Sequence, residues 1–223
     1  MNYRKLGKSG LEVSAIGLGA NNFGGRLDYE SSDFVISQLF DVGINLIDTS
    51  NSYGNTLSEE YIGRSLEGRR EKAVIATKVS SRVSEGPNQA GNSRKHITEQ
   101  VENSLTRLRT DYIDLYQIHW WDSTTPIEET LRTLDDLVTQ GKIRYFGCSN
   151  FSAWQVCESV WTSKELGIQT FISAQPHYSM LERNVEYELI PFCGKYGVGI
   201  LPYFPLANGF LTGKYRKDSP SPA

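Results

Sequence analysis

Cysteine is scarce in this sequence: Cys148, Cys157 and Cys193 are an odd set of three with no CxxC pair. That excludes a disulfide framework or a zinc ribbon and is expected of reduced thiols in a cytoplasmic protein. Histidine is equally sparse. His96, His119 and His177 show neither HxH nor HExxH spacing, so no resident metal is expected. Charge is nearly balanced, with a formal net charge of −3 and a pI of about 5.7. No basic footprint is present for nucleic acid or an anionic membrane. No apolar run approaches the ~20 residues that span a bilayer. The opening residues Met1-Asn2-Tyr3-Arg4-Lys5-Leu6 lack the apolar stretch of a leader peptide.

What is present is a rhythm. Tyr3 to Val13 carries a hairpin signal around Gly7-Lys8-Ser9-Gly10. Strands are then expected at Ala15–Gly19, Gly43–Asp48, Ala73–Lys78, Tyr112–His119, Ile143–Cys148, Thr170–Ala174 and Val198–Tyr203. Helices are expected between them at Ser32–Val42, Ser58–Leu66, Lys95–Leu108, Pro126–Gln140, Ala153–Leu166 and Val185–Tyr196, with Ser58 and Thr125 as candidate caps. The segment Ser81–Ser93, rich in Ser, Gly, Asn and Pro, is expected to be a loop. Repeated βαβ units mean parallel strands, either in a (β/α)8 barrel or in an open doubly wound sheet. Gly17-Leu18-Gly19 resembles the start of a dinucleotide turn, but no third glycine opens a helix. The expected organisation is one α/β domain over 1–216 and a disordered tail at 217–223.

The strand ends favour the barrel. Six successive strands end in, or run straight into, a polar residue: Asp48, Lys78, His119, Ser149-Asn150, Gln175 and Tyr203. In a closed barrel these ends converge on the face where active sites lie. Any one of them alone is as well explained by a cap, a turn or a solvated charge; together they form a ring. Tyr53, in the turn after Asp48, adds a phenol. A phenol ordinarily titrates near pH ~10, and a neighbouring ammonium favours its ionised form. Lys78 can supply that ammonium and Asp48 can hold it, with His119 as a further donor or acceptor. This is the equipment of a general acid that protonates a developing alkoxide. No nucleophilic Ser or Cys has a partner base, so acyl transfer fits poorly. The side chains provide no electrons, so a hydride cofactor is implied. Ser149, Asn150 and Gln175 suit a carboxamide, and Tyr203 suits stacking on a flat ring.

The chain resembles the aldo-keto reductases over essentially its full length. The likeness is carried in order by Leu46-Ile47-Asp48-Thr49-Ser50 with Tyr53-Gly54, Ile75-Ala76-Thr77-Lys78, Asp114 to Trp120, Gly147 to Phe151, Gln175 with Tyr178-Ser179, and Tyr203 to Lys214. The last pattern looks most like the branch that includes potassium-channel β subunits and bacterial reductases. The resemblance implies a (β/α)8 barrel with an N-terminal β-hairpin across its base, and NADPH-dependent reduction of aldehydes or ketones to alcohols. It implies Tyr53 as proton donor, aided by Asp48 and Lys78, with His119 orienting the carbonyl. Ser149, Asn150 and Gln175 would hold the nicotinamide carboxamide and Tyr203 would stack on its ring. The segment Phe204-Pro205-Leu206 would approach the pyrophosphate. Phe23, Trp120 and Trp121 are candidates for an apolar substrate wall, or equally for aromatics buried under a loop.

Two departures accompany the likeness. Phe204 stands where many members have Ser, and the barrel is expected to be truncated after the seventh strand. The family's eighth strand and the basic residues that grip the adenosine 2′-phosphate follow that point, so the choice between NADPH and NADH rests on residues outside this sequence. If the 223 residues are the whole protein, weak cofactor binding is expected. The alternatives to a reductase are a cofactor-binding regulatory subunit or redox sensor on the same barrel, and an unrelated barrel enzyme such as a phosphate-binding isomerase.

Overall fold

A computed structural model describes residues 1–215. The expected tail, 217–223, lies outside the described residues. Strands β1 (Tyr3–Lys5) and β2 (Glu12–Ser14) pair antiparallel, Tyr3 opposite Ser14. Seven parallel strands follow: β3 (Leu18–Gly19), β4 (Leu46–Asp48), β5 (Val74–Val79), β6 (Ile113–Ile118), β7 (Ile143–Ser149), β8 (Ser173–Gln175) and β9 (Gly199–Ile200). They pair in chain order, each with the next. Helices α1 (Tyr29–Asp41), α2 (Leu57–Ser65), α3 (Arg94–Leu108), α4 (Ile127–Thr139), α5 (Ala153–Leu166) and α6 (Leu189–Tyr196) connect them.

The sheet is curled. Gln175 on β8 donates through Nε2 to Asp48 Oδ1 on β4 at 2.8 Å. These strands are four steps apart in the sheet order, and in a flat sheet would stand roughly 19 Å apart. This is the arrangement of a (β/α)8 barrel through its seventh strand, as the sequence predicts. The hairpin closes its base. Lys8 N donates to Gly197 O at 2.8 Å, and Gly7, at φ +60, is pressed against the Ile172 and Gly197 carbonyl oxygens, where no side chain fits. Leu6 and Val13 pack inside the curl with Leu46, Val74, Ala76 and Leu115. A larger core fills the space between sheet and helices, with Ile47, Ile75, Tyr116, Phe146 and Phe171 facing Ile62, Val101 and Leu134.

Several expected boundaries move. Helix α1 begins at Tyr29, capped by the Asp28 carboxylate, which accepts from Ser31 N at 3.0 Å. Its core face is Ile36 and Leu39, while Phe34 is exposed because two residues turn a helix by about 200°. Ser58 is not the cap of α2: its hydroxyl donates to Ala20 O at 2.9 Å. Thr125 does not cap α4 either, because its hydroxyl donates to Asp122. The stretch 185–196 divides into a 3-10 turn, Asn184–Glu186, and α6. Pro191 accounts for that: it fits the first turn of a helix from Leu189 but would break one begun at Val185. Strands β3, β8 and β9 are shorter than expected. Tyr203 lies beyond β9 and makes an isolated bridge to His177.

The three cysteines are free thiols. Among the described residues no helix is long and apolar enough to cross a membrane.

Candidate active site

Successive side chains of a strand alternate between faces, and this period of two builds the site. The inward residues are Leu46 then Asp48, Val74 and Ala76 then Lys78, Leu115 and Gln117 then His119, Gly147 then Ser149, and Ser173 then Gln175. Apolar or small groups fill the base, and each of these five rows ends in a polar residue. A cavity of about 680 Å³ opens over these ends, lined by Asp48, Tyr53, His119, Trp120, Ser149, Asn150, Gln175, Tyr203, Phe204 and Pro205. Gly17, Leu18, Gly19 and Asn21 line it on the β3 side, and Ile200 and Leu201 on the β9 side.

Lys78 is fully buried behind this wall. A buried ammonium needs partners, and all three of its donors have one. Nζ donates to Asp48 Oδ2 at 2.6 Å, to Thr49 O at 2.8 Å and to Tyr53 OH at 3.3 Å. The other carboxylate oxygen, Asp48 Oδ1, accepts from Gln175 Nε2 and from Gln117 Nε2 at 3.2 Å. The acid is held at both ends by donors.

Tyr53 opens a 3-10 turn, Tyr53–Thr56, whose Gly54, Asn55 and Thr56 all have positive φ. Gly54 is required there, since a Cβ would collide with the Phe23 carbonyl oxygen. Thr56, β-branched at φ +78, is a strained position beside the site.

His119 follows β6. Ser50 Oγ lies 3.4 Å from its Nδ1, and the ring stacks on Trp120 with centroids 5.4 Å apart. Burial, and after it the Lys78 charge, pushes the imidazole down to about 3, so it is neutral near pH 7. Tyr203 donates to Asn150 Oδ1 at 2.8 Å and lies flat against His177, centroids 5.1 Å apart. Burial, then the Tyr53 and Glu182 charges, raises its phenol above the ordinary value.

Nearly all the expected residues meet at the cavity. Asp48, Tyr53, Lys78 and His119 form one cluster, and Ser149, Asn150, Gln175, Tyr203, Phe204 and Pro205 adjoin it. The amide groups are largely engaged within the protein. Asn150 Nδ2 donates to His119 O and Ser149 Oγ, both at 3.1 Å, and Ser149 Oγ donates to Gln175 O at 2.9 Å. Three expected residues are not brought to the cavity. Phe23 is buried in the outer core. Trp121 turns away from Trp120 to pack edge-on against Phe151 and Trp154. Leu206 is half exposed ahead of a 3-10 turn. Sequence reasoning missed Gln117, Ser50, Ser80, Asn92 and His177. Gln117 had a signal, standing two residues before His119 on the same strand face.

Residues 15–222 match the family model described as Aldo/keto reductase family. The chain belongs to the aldo-keto reductase family. It is 40% identical over 224 residues to a probable voltage-gated potassium channel subunit beta of Oryza sativa subsp. japonica, covering 98% of this chain and 68% of that protein. It is 38% identical over 224 residues to the aldo-keto reductase YhdN of Bacillus subtilis, covering 98% of this chain and 66% of that protein. An uncharacterized oxidoreductase of the same bacterium, YrpG, is 38% identical over 230 residues, covering 98% of this chain and 71% of that protein. The family, with the names of the two bacterial relatives, supports an oxidoreductase. Among the described residues no group of His, Cys, Asp and Glu is arranged to hold a metal ion.

Proposed function

We propose that this chain carries the catalytic centre of an oxidoreductase that reduces an aldehyde or ketone to an alcohol, with NADPH as hydride source and Tyr53 as proton donor. The observation that carries this reading is the buried Lys78 ammonium. It is tied to Asp48 and the Thr49 carbonyl, and its third bond goes to the Tyr53 hydroxyl at the cavity wall. A nicotinamide fits the residues present. The Tyr203 ring lines the cavity, with Gln175, Ser149 and Asn150 beside it, and the cavity volume lies within the usual range for small-molecule sites.

A bound reduced nicotinamide supplies a hydride to the carbonyl carbon. Tyr53 gives its hydroxyl proton to the carbonyl oxygen, and Lys78 stabilises the phenolate that remains. Asp48 holds Lys78 in place and does not itself touch the substrate. His119, neutral near pH 7, orients the carbonyl through a ring nitrogen. In the tautomer in which Ser50 Oγ donates to Nδ1, the ring carries its proton on Nε2 and can donate it to the carbonyl oxygen. Trp120 forms an apolar side of the substrate pocket. The second reading is a regulatory subunit or redox sensor that binds the cofactor without turnover, favoured by the names of the plant relatives. The complete set Asp48, Tyr53, Lys78 and His119 supports the reductase over that reading.

The test is NADPH oxidation, with NADH in parallel, across a panel of aldehydes and ketones. Tyr53→Phe is expected to bind NADPH as the unsubstituted chain does and to lose turnover by about 10²–10⁴-fold. Unchanged turnover in Tyr53→Phe rejects the proton donor. NADPH binding without turnover of any carbonyl favours the regulatory reading.

A further inference from the structure

The segment Ser81–Ser93, expected only to be a loop, ends in a side chain with an unusual number of commitments. Asn92 is 3% exposed, and all four of its polar groups are bonded. Its Oδ1 accepts from Ser80 Oγ at 2.6 Å and its Nδ2 donates to Trp120 O at 2.9 Å. Its backbone N donates to Asp122 Oδ2 at 2.9 Å, and its O accepts from Thr130 Oγ1 at 3.0 Å.

These bonds converge on one turn. Ser80 Oγ, oriented by Asn92, accepts from His119 N at 3.2 Å and from Trp120 N at 3.4 Å. Ser80 sits at φ +128, a backbone conformation that costs a non-glycine residue energy and needs surrounding bonds to hold it. The Trp120 carbonyl is taken by Asn92 itself, and the His119 carbonyl by Asn150 at 3.1 Å. Every backbone polar group of His119 and Trp120 is thus paired: His119 N goes first to Val79 O at 2.8 Å and second to Ser80, while Asn92 takes Trp120 O directly and, through Ser80, holds Trp120 N. These are the two residues whose stacked rings face the cavity.

We propose that Asn92 is a positioning residue for carbonyl reduction: it fixes the His119–Trp120 turn, and through it the imidazole and indole that meet the substrate. This rests on the reductase reading above. A reacting group must be held within about 0.5 Å of its productive place, and a misplacement of about 1 Å can cost 100-fold in rate. Asn92 does not line the cavity and so touches neither substrate nor cofactor.

The experiment compares Asn92→Asp and Asn92→Ala with Ser84→Ala, an exposed change in the same loop. Asn92→Asp keeps the size and the acceptor for Ser80 but turns an oxygen toward the Trp120 carbonyl. NADPH affinity is expected to stay within about twofold in all three, because the cofactor side of the cavity is untouched. Both Asn92 variants are expected to lose about tenfold to 100-fold in kcat/KM, more for a bulky aromatic aldehyde than for a small aliphatic one. Ser84→Ala is expected to match the unsubstituted chain. Amide hydrogen exchange at Trp120 is expected to quicken in Asn92→Asp and not in Ser84→Ala, a readout that needs no turnover. Wild-type kcat/KM for both aldehydes in a folded Asn92→Asp overturns the inference, as does an equal loss for both accompanied by an equal loss of NADPH affinity. Absence of turnover in the unsubstituted chain overturns the reductase reading instead. Unchanged Trp120 exchange in Asn92→Asp then overturns the positioning itself.

Discussion

Lys78 Nζ lies 3.3 Å from Tyr53 OH, the longest of its three bonds; the bonds to Asp48 Oδ2 and Thr49 O are 2.6 and 2.8 Å. The ammonium is therefore anchored by the carboxylate and the backbone, and the phenol meets a charge whose place is already fixed. Preorganised charge of this kind assists a proton transfer without rearranging at the moment of reaction. The same arrangement explains why a lysine is tolerated in full burial. Its desolvation is offset by an anion and two oxygen acceptors.

Lys78→Met tests both roles at once. The variant keeps the length of the side chain and removes the charge. Turnover is expected to fall by about 10²–10⁴-fold. Stability is expected to fall by about 3–5 kcal/mol, because Asp48 loses the cation that balances it. Steady-state kinetics and urea unfolding measure the two. A stable variant with normal turnover rejects Lys78 as partner of Tyr53.

Gln175 and Gln117 both donate to Asp48 Oδ1, but only Gln175 lines the cavity. Gln117 is fully buried and its Oε1 has no partner among the described residues. Replacing either by Leu removes one hydrogen bond to a charged group, worth about 1.5–3 kcal/mol. Gln117→Leu also removes an orphaned oxygen, so its loss of stability is expected to be the smaller. Gln175→Leu is expected to weaken NADPH binding as well, and Gln117→Leu is not. Urea midpoints and NADPH titration separate the pair; equal effects on NADPH affinity reject the division of roles.

The period of two and the polar strand ends made most of the site legible in the sequence. Asp48, Lys78 and Gln175 are each the final inward residue of a strand and His119 continues the inward row of β6, which is a local property. Direction within a turn is not local in the same way. Trp120 and Trp121 are adjacent and equally aromatic, yet one lines the cavity and the other packs on Phe151. Nor could composition reveal that Asn150 bonds His119 O and Tyr203 OH, since its partners lie 31 and 53 residues away. Asn92 was invisible for a related reason. A residue in a Ser-, Gly- and Asn-rich segment reads as a turn former until its long-range partners are known. The helix expected over 185–196 begins only at Leu189, because Pro191 fits the first turn of a helix and not its interior.

Gly63 on α2 offers a contest between two known effects. It is a helix-interior residue without positive φ, so Ala there gains about 1 kcal/mol of helix propensity. A methyl group, however, would collide with Arg107 O and stand 2.6 and 2.7 Å from the Leu108 C and Cα atoms. These are backbone atoms of α3, which cannot swing aside, and overpacking costs about 1–3 kcal/mol. Gly63→Ala is expected to be net destabilising, by up to about 2 kcal/mol, with turnover unchanged because the α2–α3 contact lies outside the sheet. A raised urea midpoint would show that the two helices separate without penalty.

The buried imidazole of His119 makes stability depend on pH in a definite direction. Burial, followed by the Lys78 charge, holds it at about 3, against an ordinary 6.5. The unfolded chain therefore takes up this proton first as pH falls. Stability from the neutral ring is complete above about 6.5 and is lost progressively down to about 3. His96 is also lowered, chiefly by burial, and adds to the slope in the same sense. Asp122 enters only lower. Burial opposes its ionisation, but bonds from Thr124, Thr125 and Asn92 bring it to about 2, so its share is lost between about 3.8 and 2. Urea midpoints between pH 7 and pH 4 are expected to fall in the unsubstituted chain and to fall less steeply in His119→Asn, with His96 keeping part of the slope. Any stability that Asn costs by itself is present at every pH, so only the slopes are compared. Parallel slopes would mean that His119 takes up its proton alike in the folded and unfolded chains, so burial would not be what holds its ring neutral.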